Sequence, residues 1–418
     1  MSIGETVKRH LVDTRPLAVP AYRRLWIGQA VSQLGSGATV VVVSQQVYDL
    51  TRSSLWVGLL GLAHLLPLIV FGLWGGAAAD AADRRKVLLA GSLVTWVATL
   101  FLLAQAVLGL DQVALLIAAV AVSATGFAVT SPTRGAVIPR LLPAELVPGA
   151  NALNSLAFSV GAVGGPMAGG VLLAWQGYAV AYAFDALLFS VSLYAALRLP
   201  AMRPLAEAAR PGARAVFEGL RYVATSPVLL MSFVVDIIAM VFALPRALYP
   251  ELAATRFADV PGGAALALGW LNAAMAIGGV AAALLSGWVG RVRRQGLALI
   301  AVIALWGLVV AAAGLVEALW LVVFLMAVGG AADVVSSVWR QSILMLHAPD
   351  EMRGRMQGVF MVVVAGGPRL GDVRAGAMAT ASGLGVAWVG GGLACAVAVI
   401  AVGLSARRFR NYCSEIGK

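Results

Sequence analysis

Apolar runs of about 20 residues, the length at which an α-helix crosses ~30 Å of hydrocarbon, recur along the whole of this chain. Nothing constrains its fold more. Lipid offers no hydrogen-bond partners, so each run must satisfy its own backbone N–H and C=O groups, and a helix does so within one segment. A length of 418 residues alone would allow two or three soluble domains. A composition of 61% hydrophobic and 12% charged residues, with a mean hydropathy of +0.91, excludes them. The expected class is all-α integral membrane.

Twelve spans are expected. In the first half they cover 25–48, 55–79, 87–108, 113–130, 150–174 and 178–199. In the second they cover 228–248, 264–289, 297–315, 319–343, 356–380 and 386–404. Residues 1–24 form a basic arm, 200–227 a polar central loop and 407–418 a tail, so the bundles are 25–199 and 228–406. Within the central loop, Val216, Leu220 and Val223 are spaced as the apolar face of a surface helix.

The net charge of +11 could suggest nucleic acid, but Arg and Lys sit mostly in short loops between spans. That is the positive-inside pattern of a membrane protein, and it argues against a nucleic-acid partner. An even number of spans and the basic connections agree in placing both termini in the cytoplasm, with the plasma (inner) membrane as the site. Cys395 and Cys413 suggest no disulfide or metal framework, and no cofactor or metal is expected. The first 20 residues carry Lys8, Arg9 and Arg15 with no apolar core, so no cleaved signal peptide is expected.

Polar groups inside the spans carry the functional information. Gln29, Gln33, Gln45 and Gln46 lie in span 1 and either bond neighbouring helices or line a wet cavity. His64, alone on an apolar span, reads as a hydrogen-bonded core residue. In span 5, Gly161, Gly165 and Gly169 stand four apart, a smooth stripe that lets a second helix approach to backbone contact, and Pro166 should bend the segment. Gly367, Pro368 and Gly371 echo the arrangement in span 11. The halves repeat more widely: Arg134 and Arg340 are 206 positions apart, as are Pro143 and Pro349. A parallel repeat of two six-span halves is a transporter architecture, that of the major facilitator superfamily.

Three groups of residues carry a family resemblance. The run Gly161-x-x-x-Gly165-Pro166-x-x-Gly169-Gly170 resembles the fifth-helix motif of drug/proton antiporters in the major facilitator superfamily. Residues 76–86 resemble the superfamily's loop between helices 2 and 3, with Asp80 in the acidic position and Arg84 and Arg85 in the basic ones. Ala81 stands where that motif has Arg, and Asp83 where it has Gly. Arg246-Ala-Leu-Tyr-Pro250, Val335 to Arg340 and Met352 to Arg355 are similar to the enterobactin-exporter branch. The resemblance implies that helices 1, 4, 7 and 10 line a central cavity and that 2, 5, 8 and 11 form the interface between halves, where the glycine stripes would lie.

On this basis the chain is expected to export a small amphipathic compound by alternating access with proton antiport, its partners being that compound, protons and lipid, as a monomer. Gln29, Gln33, Arg246 and Arg340 are cavity candidates. Asp236 and Asp333 lie about 13–15 Å from the cytoplasmic boundary, at one depth on helices the resemblance places side by side, and are candidates to load and release protons. Asp80 is expected to latch the cytoplasmic gate onto the start of span 11, where Arg353 and Arg355 offer positive charge. Nutrient import is the rival within the fold. An integral-membrane enzyme is the rival outside it, disfavoured by three scattered histidines and no Gly-x-x-x-x-Gly-Lys-Ser/Thr loop.

Overall fold

The computed structural model describes residues 13–202, 213–347 and 353–413, with backbone alone at 73–81, 213–217, 219, 347, 353–355, 357–358 and 361. Helices dominate, and no strand occurs among the described residues. The first half comprises α1 (Pro20–Thr51), α2 (Ser54–Ala81), α3 (Arg84–Leu108), α4 (Val113–Leu141) and α5 (Val147–Leu197). A surface helix, α6 (Ala213–Thr225), leads to the second half. That half comprises α7 (Pro227–Phe242), α8 (Tyr249–Arg256), α9 (Gly263–Leu284), α10 (Gln295–Leu315), α11 (Leu319–His347), α12 (Arg353–Ser382) and α13 (Leu384–Ser405). Ten stretches among the described residues are long and apolar enough to cross a membrane. Arg353–Ser382 is outside that set: Arg369, Asp372 and Arg374 lower its hydropathy. Large apolar side chains such as Leu66, Phe158, Leu187, Phe324 and Val397 are exposed on the outer surface, as a lipid-facing belt requires.

Local chemistry sets the helix ends. Pro20 and Pro227 occupy first-turn positions, where the missing N–H is harmless. Asp83 caps α3 by accepting from the Arg85 N–H, and Gly109, at φ 60°, closes it. Helix α5 contains two expected spans, because Gly177 at φ 77° and ψ −172° bends the chain between arms 147–176 and 178–197.

Two expected boundaries are corrected. Span 4 does not stop at Thr130: α4 continues to Leu141 through Pro132 and Pro139. The Thr133 hydroxyl, next to Pro132, donates to the Val129 carbonyl at 2.7 Å. Span 7 is not one helix to Leu248. It breaks after Phe242, since Pro245 removes a donor and disfavours helical geometry at Leu244. The freed carbonyls are taken by Arg374 of α12, whose Nη2 donates to Phe242 O at 2.7 Å and Nε to Val241 O at 3.0 Å.

The halves meet along α2 with α12 and α5 with α9. A Cβ added at Gly61 would lie 3.1 Å from the Arg369 carbonyl oxygen, and one at Gly170 would lie 2.7 Å from that of Ala265. The Ser54 hydroxyl donates to Glu251 across the same seam at 2.5 Å. By chain direction, these contacts fall in the half of the bundle away from the two termini.

Candidate functional site

Arg340 of α11 lies between two carboxylates. It makes direct ion contact with Asp236 of α7, and its Nη2 stands 3.5 Å from Oδ1 of Asp333, two turns back on α11. The Arg340 and Asp236 side chains are 4% and 1% exposed, whereas Asp333 is 37% exposed. Arg340 also donates to the Ser336 carbonyl and hydroxyl at 3.3 Å each. Ser232, Phe233 and Phe360 complete a small cleft around Asp236 and Arg340. The two candidate proton carriers are therefore brought together, but through a guanidinium. This corrects the expectation for Arg340: it is the counter-ion of both carboxylates rather than a free cavity side chain. With both acids ionised the triad carries one excess negative charge, and a single proton neutralises it.

A second cluster lies where the helices of the two halves touch. Arg246 Nη2 is 3.6 Å from Asp372 Oδ2, and Arg369 Nη1 is 4.0 Å from the same oxygen. Arg246 was expected at the cavity; Arg369 and Asp372 were not assigned a role. The signal was present as three charges within six residues of an apolar span, which is costly unless the groups pair or function.

In the first half the amides divide. Gln46 Oε1 accepts from Tyr182 OH at 2.7 Å and from Gln105 Nε2 at 3.1 Å, and Gln45 Nε2 donates to Asp49 at 3.0 Å. These glutamines bond neighbours. Gln29 and Gln33 remain half-buried on α1. Asp185 accepts from Thr39 Oγ1 at 2.6 Å, a structural bond between α5 and α1. His64 packs its ring 6.1 Å from that of Phe127.

The glycine stripe is corrected in its partner. Gly161, Gly165 and Gly169 lie against α1 in their own half, where a Cβ at Gly165 would be 2.7 Å from Gly37 Cα and one at Gly169 2.8 Å from the Ala38 carbonyl oxygen. The Pro166 carbonyl and Gly170 instead face Gly269 of α9, across the halves. Gly367 and Gly371 pack on Met240 of α7, again within one half, and Pro368 lies between them in α12.

Of the expected gate, the side chains of Asp80, Arg353 and Arg355 lie outside the described residues. Arg84 Nη1 donates to the Ala136 carbonyl at 2.9 Å and Arg85 Nη2 to that of Leu197 at 2.7 Å, both in their own half. Those contacts brace helix ends within the first half. Asp83, read as a departure from the motif, is a clasp. It accepts from the Met202 N–H at 3.0 Å and the Arg85 N–H at 2.9 Å, and these bonds hold its carboxyl below the ordinary value.

Comparison with known proteins agrees with this architecture. The chain is 29% identical over 408 residues to the enterobactin exporter EntS of Shigella boydii serotype 18, covering 94% of each, and 28% identical to EntS of Escherichia coli O81 over the same shares. In fold it resembles the nucleoside transporter NupG, with a TM-score of 0.74, 14% identity and coverage of 94% and 99%. It also resembles an inward-facing, unoccupied bacterial homologue of the human lysosomal transporter Spinster, with a TM-score of 0.70, 16% identity and coverage of 95% and 97%. The transmembrane secretion effector family matches residues 13–412. The chain belongs to that family of the major facilitator superfamily, and it is a multi-pass membrane transporter.

Proposed function

We propose that the protein exports a small amphipathic compound of the siderophore class in exchange for protons. In this account twelve helices cross the inner membrane as bundles 25–199 and 228–406, with the 200–227 connection and both termini in the cytoplasm, and the protein works as a monomer. Export and the substrate class rest on the names of its relatives. Proton coupling rests on one observation, the Asp236–Arg340–Asp333 triad. A buried guanidinium shared by two carboxylates has two arrangements: Arg340 can be held by both acids, or by one while the other carries a proton. Such a group responds to a proton with a change of partner, which is what an alternating-access cycle needs from a coupling site. Contacts between halves concentrated away from the termini support a resting form open on the terminus side.

Proteoliposomes with an imposed pH gradient and enterobactin as the trial substrate test both parts. The wild type is expected to move the compound against its gradient only while protons flow the other way. Asp236→Asn is expected to retain binding but lose gradient-driven accumulation. Full proton-driven transport by Asp236→Asn, Asp333→Asn and the double variant would place coupling elsewhere. Movement of substrate in the same direction as protons would favour import.

A further inference from the structure

Helix α7 ends at Phe242, ahead of Pro245, with Arg374 on its last carbonyls, and the chain then turns so that Arg246 stands at the seam between the halves. There it meets Arg369 and Asp372 of α12, at the level where Gly58 and Gly61 let α2 approach. Two guanidinium groups share one carboxylate, at 3.6 and 4.0 Å, longer than the ~2.7–2.9 Å of a charge-assisted hydrogen bond. Arg246 Nε and Nη2 and Asp372 Oδ1 have no hydrogen-bond partner. The Asp372 side chain is 9% exposed, but those of Arg246 and Arg369 are 36% and 28% exposed, so the cations are open to whatever enters between the bundles. His64, from the opposite half, is within electrostatic reach of both. Asp333, within reach of Arg246, is already engaged by Arg340. The cluster therefore has one positive charge in excess and unused donors, in a region where leaving either is costly.

We propose that Arg246 and Arg369 form an oxyanion-binding subsite at the seam. It takes a carboxylate or comparable anionic oxygen group of the transported compound, beside the Asp372 carboxylate that the two forks share. This rests on the transport reading and specifies what that transport selects. A planar guanidinium pair suits an oxyanion, since each fork can present parallel N–H donors to two oxygens. Asp372 then acts as an internal competitor for the same donors, which gives the proposal a consequence that a purely structural ion cluster lacks.

The test uses the full chain in nanodiscs, with protein-free nanodiscs subtracted, and two probes of one shape: 1-naphthoate and the uncharged 1-naphthamide. Wild type is expected to bind the carboxylate more tightly, a comparison that requires no variant. Arg246→Gln and Arg369→Gln should each weaken naphthoate roughly tenfold, as loss of one charged hydrogen bond does, and leave naphthamide unchanged. Asp372→Asn should tighten naphthoate by removing the competitor. Equal binding of both probes by wild type overturns the subsite, as does parallel loss of both probes in the Gln variants, or an Asp372→Asn protein that elutes as wild type yet binds naphthoate no better. Enterobactin export without a naphthoate preference defeats the subsite alone. A naphthoate preference that falls in the Gln variants, in a protein that exports nothing, supports the subsite and defeats the export assignment.

Discussion

Arg340 on α11 and Asp236 on α7 are in direct ion contact, with side chains 4% and 1% exposed, and they tie the two helices together. Removing one partner of a buried pair is worse than removing both, because it leaves a charge without compensation. Arg340→Gln strands two carboxylates and is expected to cost about 3–5 kcal/mol. Asp333→Asn leaves the inner pair intact and should cost less. Thermal unfolding of the purified variants checks the order, and Arg340→Gln combined with Asp236→Asn should recover part of the loss. Additive losses in the double variant would show that the two side chains do not act as a pair.

The glycines of α5 separate assembly from motion. Gly165 packs on Gly37 within one half, so Gly165→Leu should impair that bundle and abolish transport. Gly170 faces Gly269 and the Ala265 carbonyl across the halves. Gly170→Val is therefore expected to disfavour only the closed seam. Spin labels at Ser53 and Ser382 should move apart in that variant, with the fold otherwise retained. Unchanged distances would mean the seam accommodates the side chain.

Arg374 replaces hydrogen bonds that α7 cannot make for itself. Its fork serves Val241 and Phe242 together, which a single ammonium cannot copy. Arg374→Gln should lower stability by about 2–3 kcal/mol, and Arg374→Lys should restore only part. Denaturation monitored by tryptophan fluorescence compares them. A lysine variant as stable as wild type would show that charge alone suffices.

Asp83 links stability to pH. Its folded carboxyl lies below the ordinary value of 3.8, chiefly through the Met202 N–H, so its contribution is full above that value and fades as pH falls below it towards the folded value. Asp83→Ala should cost about 1 kcal/mol at neutral pH, as for a lost helix cap. The difference in Tm between variant and wild type should shrink in acid. A difference independent of pH would assign the loss to packing.

The amino-acid sequence was enough for the class, most of the helices and the repeat. Runs of apolar residues at membrane length leave no other solution, and Pro227 marks a helix start by local backbone chemistry that needs no neighbour. It also exposed the chemistry-bearing groups, because Asp236, Asp333 and Arg340 are conspicuous in so apolar a chain. Which of those groups meet depends on how the helices pack. Arg340 and Asp236 are 104 positions apart in the sequence, and nothing local says that the guanidinium inserts between the two carboxylates. The four-residue spacing of Gly161, Gly165 and Gly169 shows that a helix packs closely there, but α1 rather than α9 fills the stripe, since spacing specifies a surface and not its partner. Arg374 looked like another intramembrane charge until the break after Phe242 supplied the carbonyls it binds. Local residues set the shape of each helix, whereas the positions of charges relative to one another depend on how the helices cross.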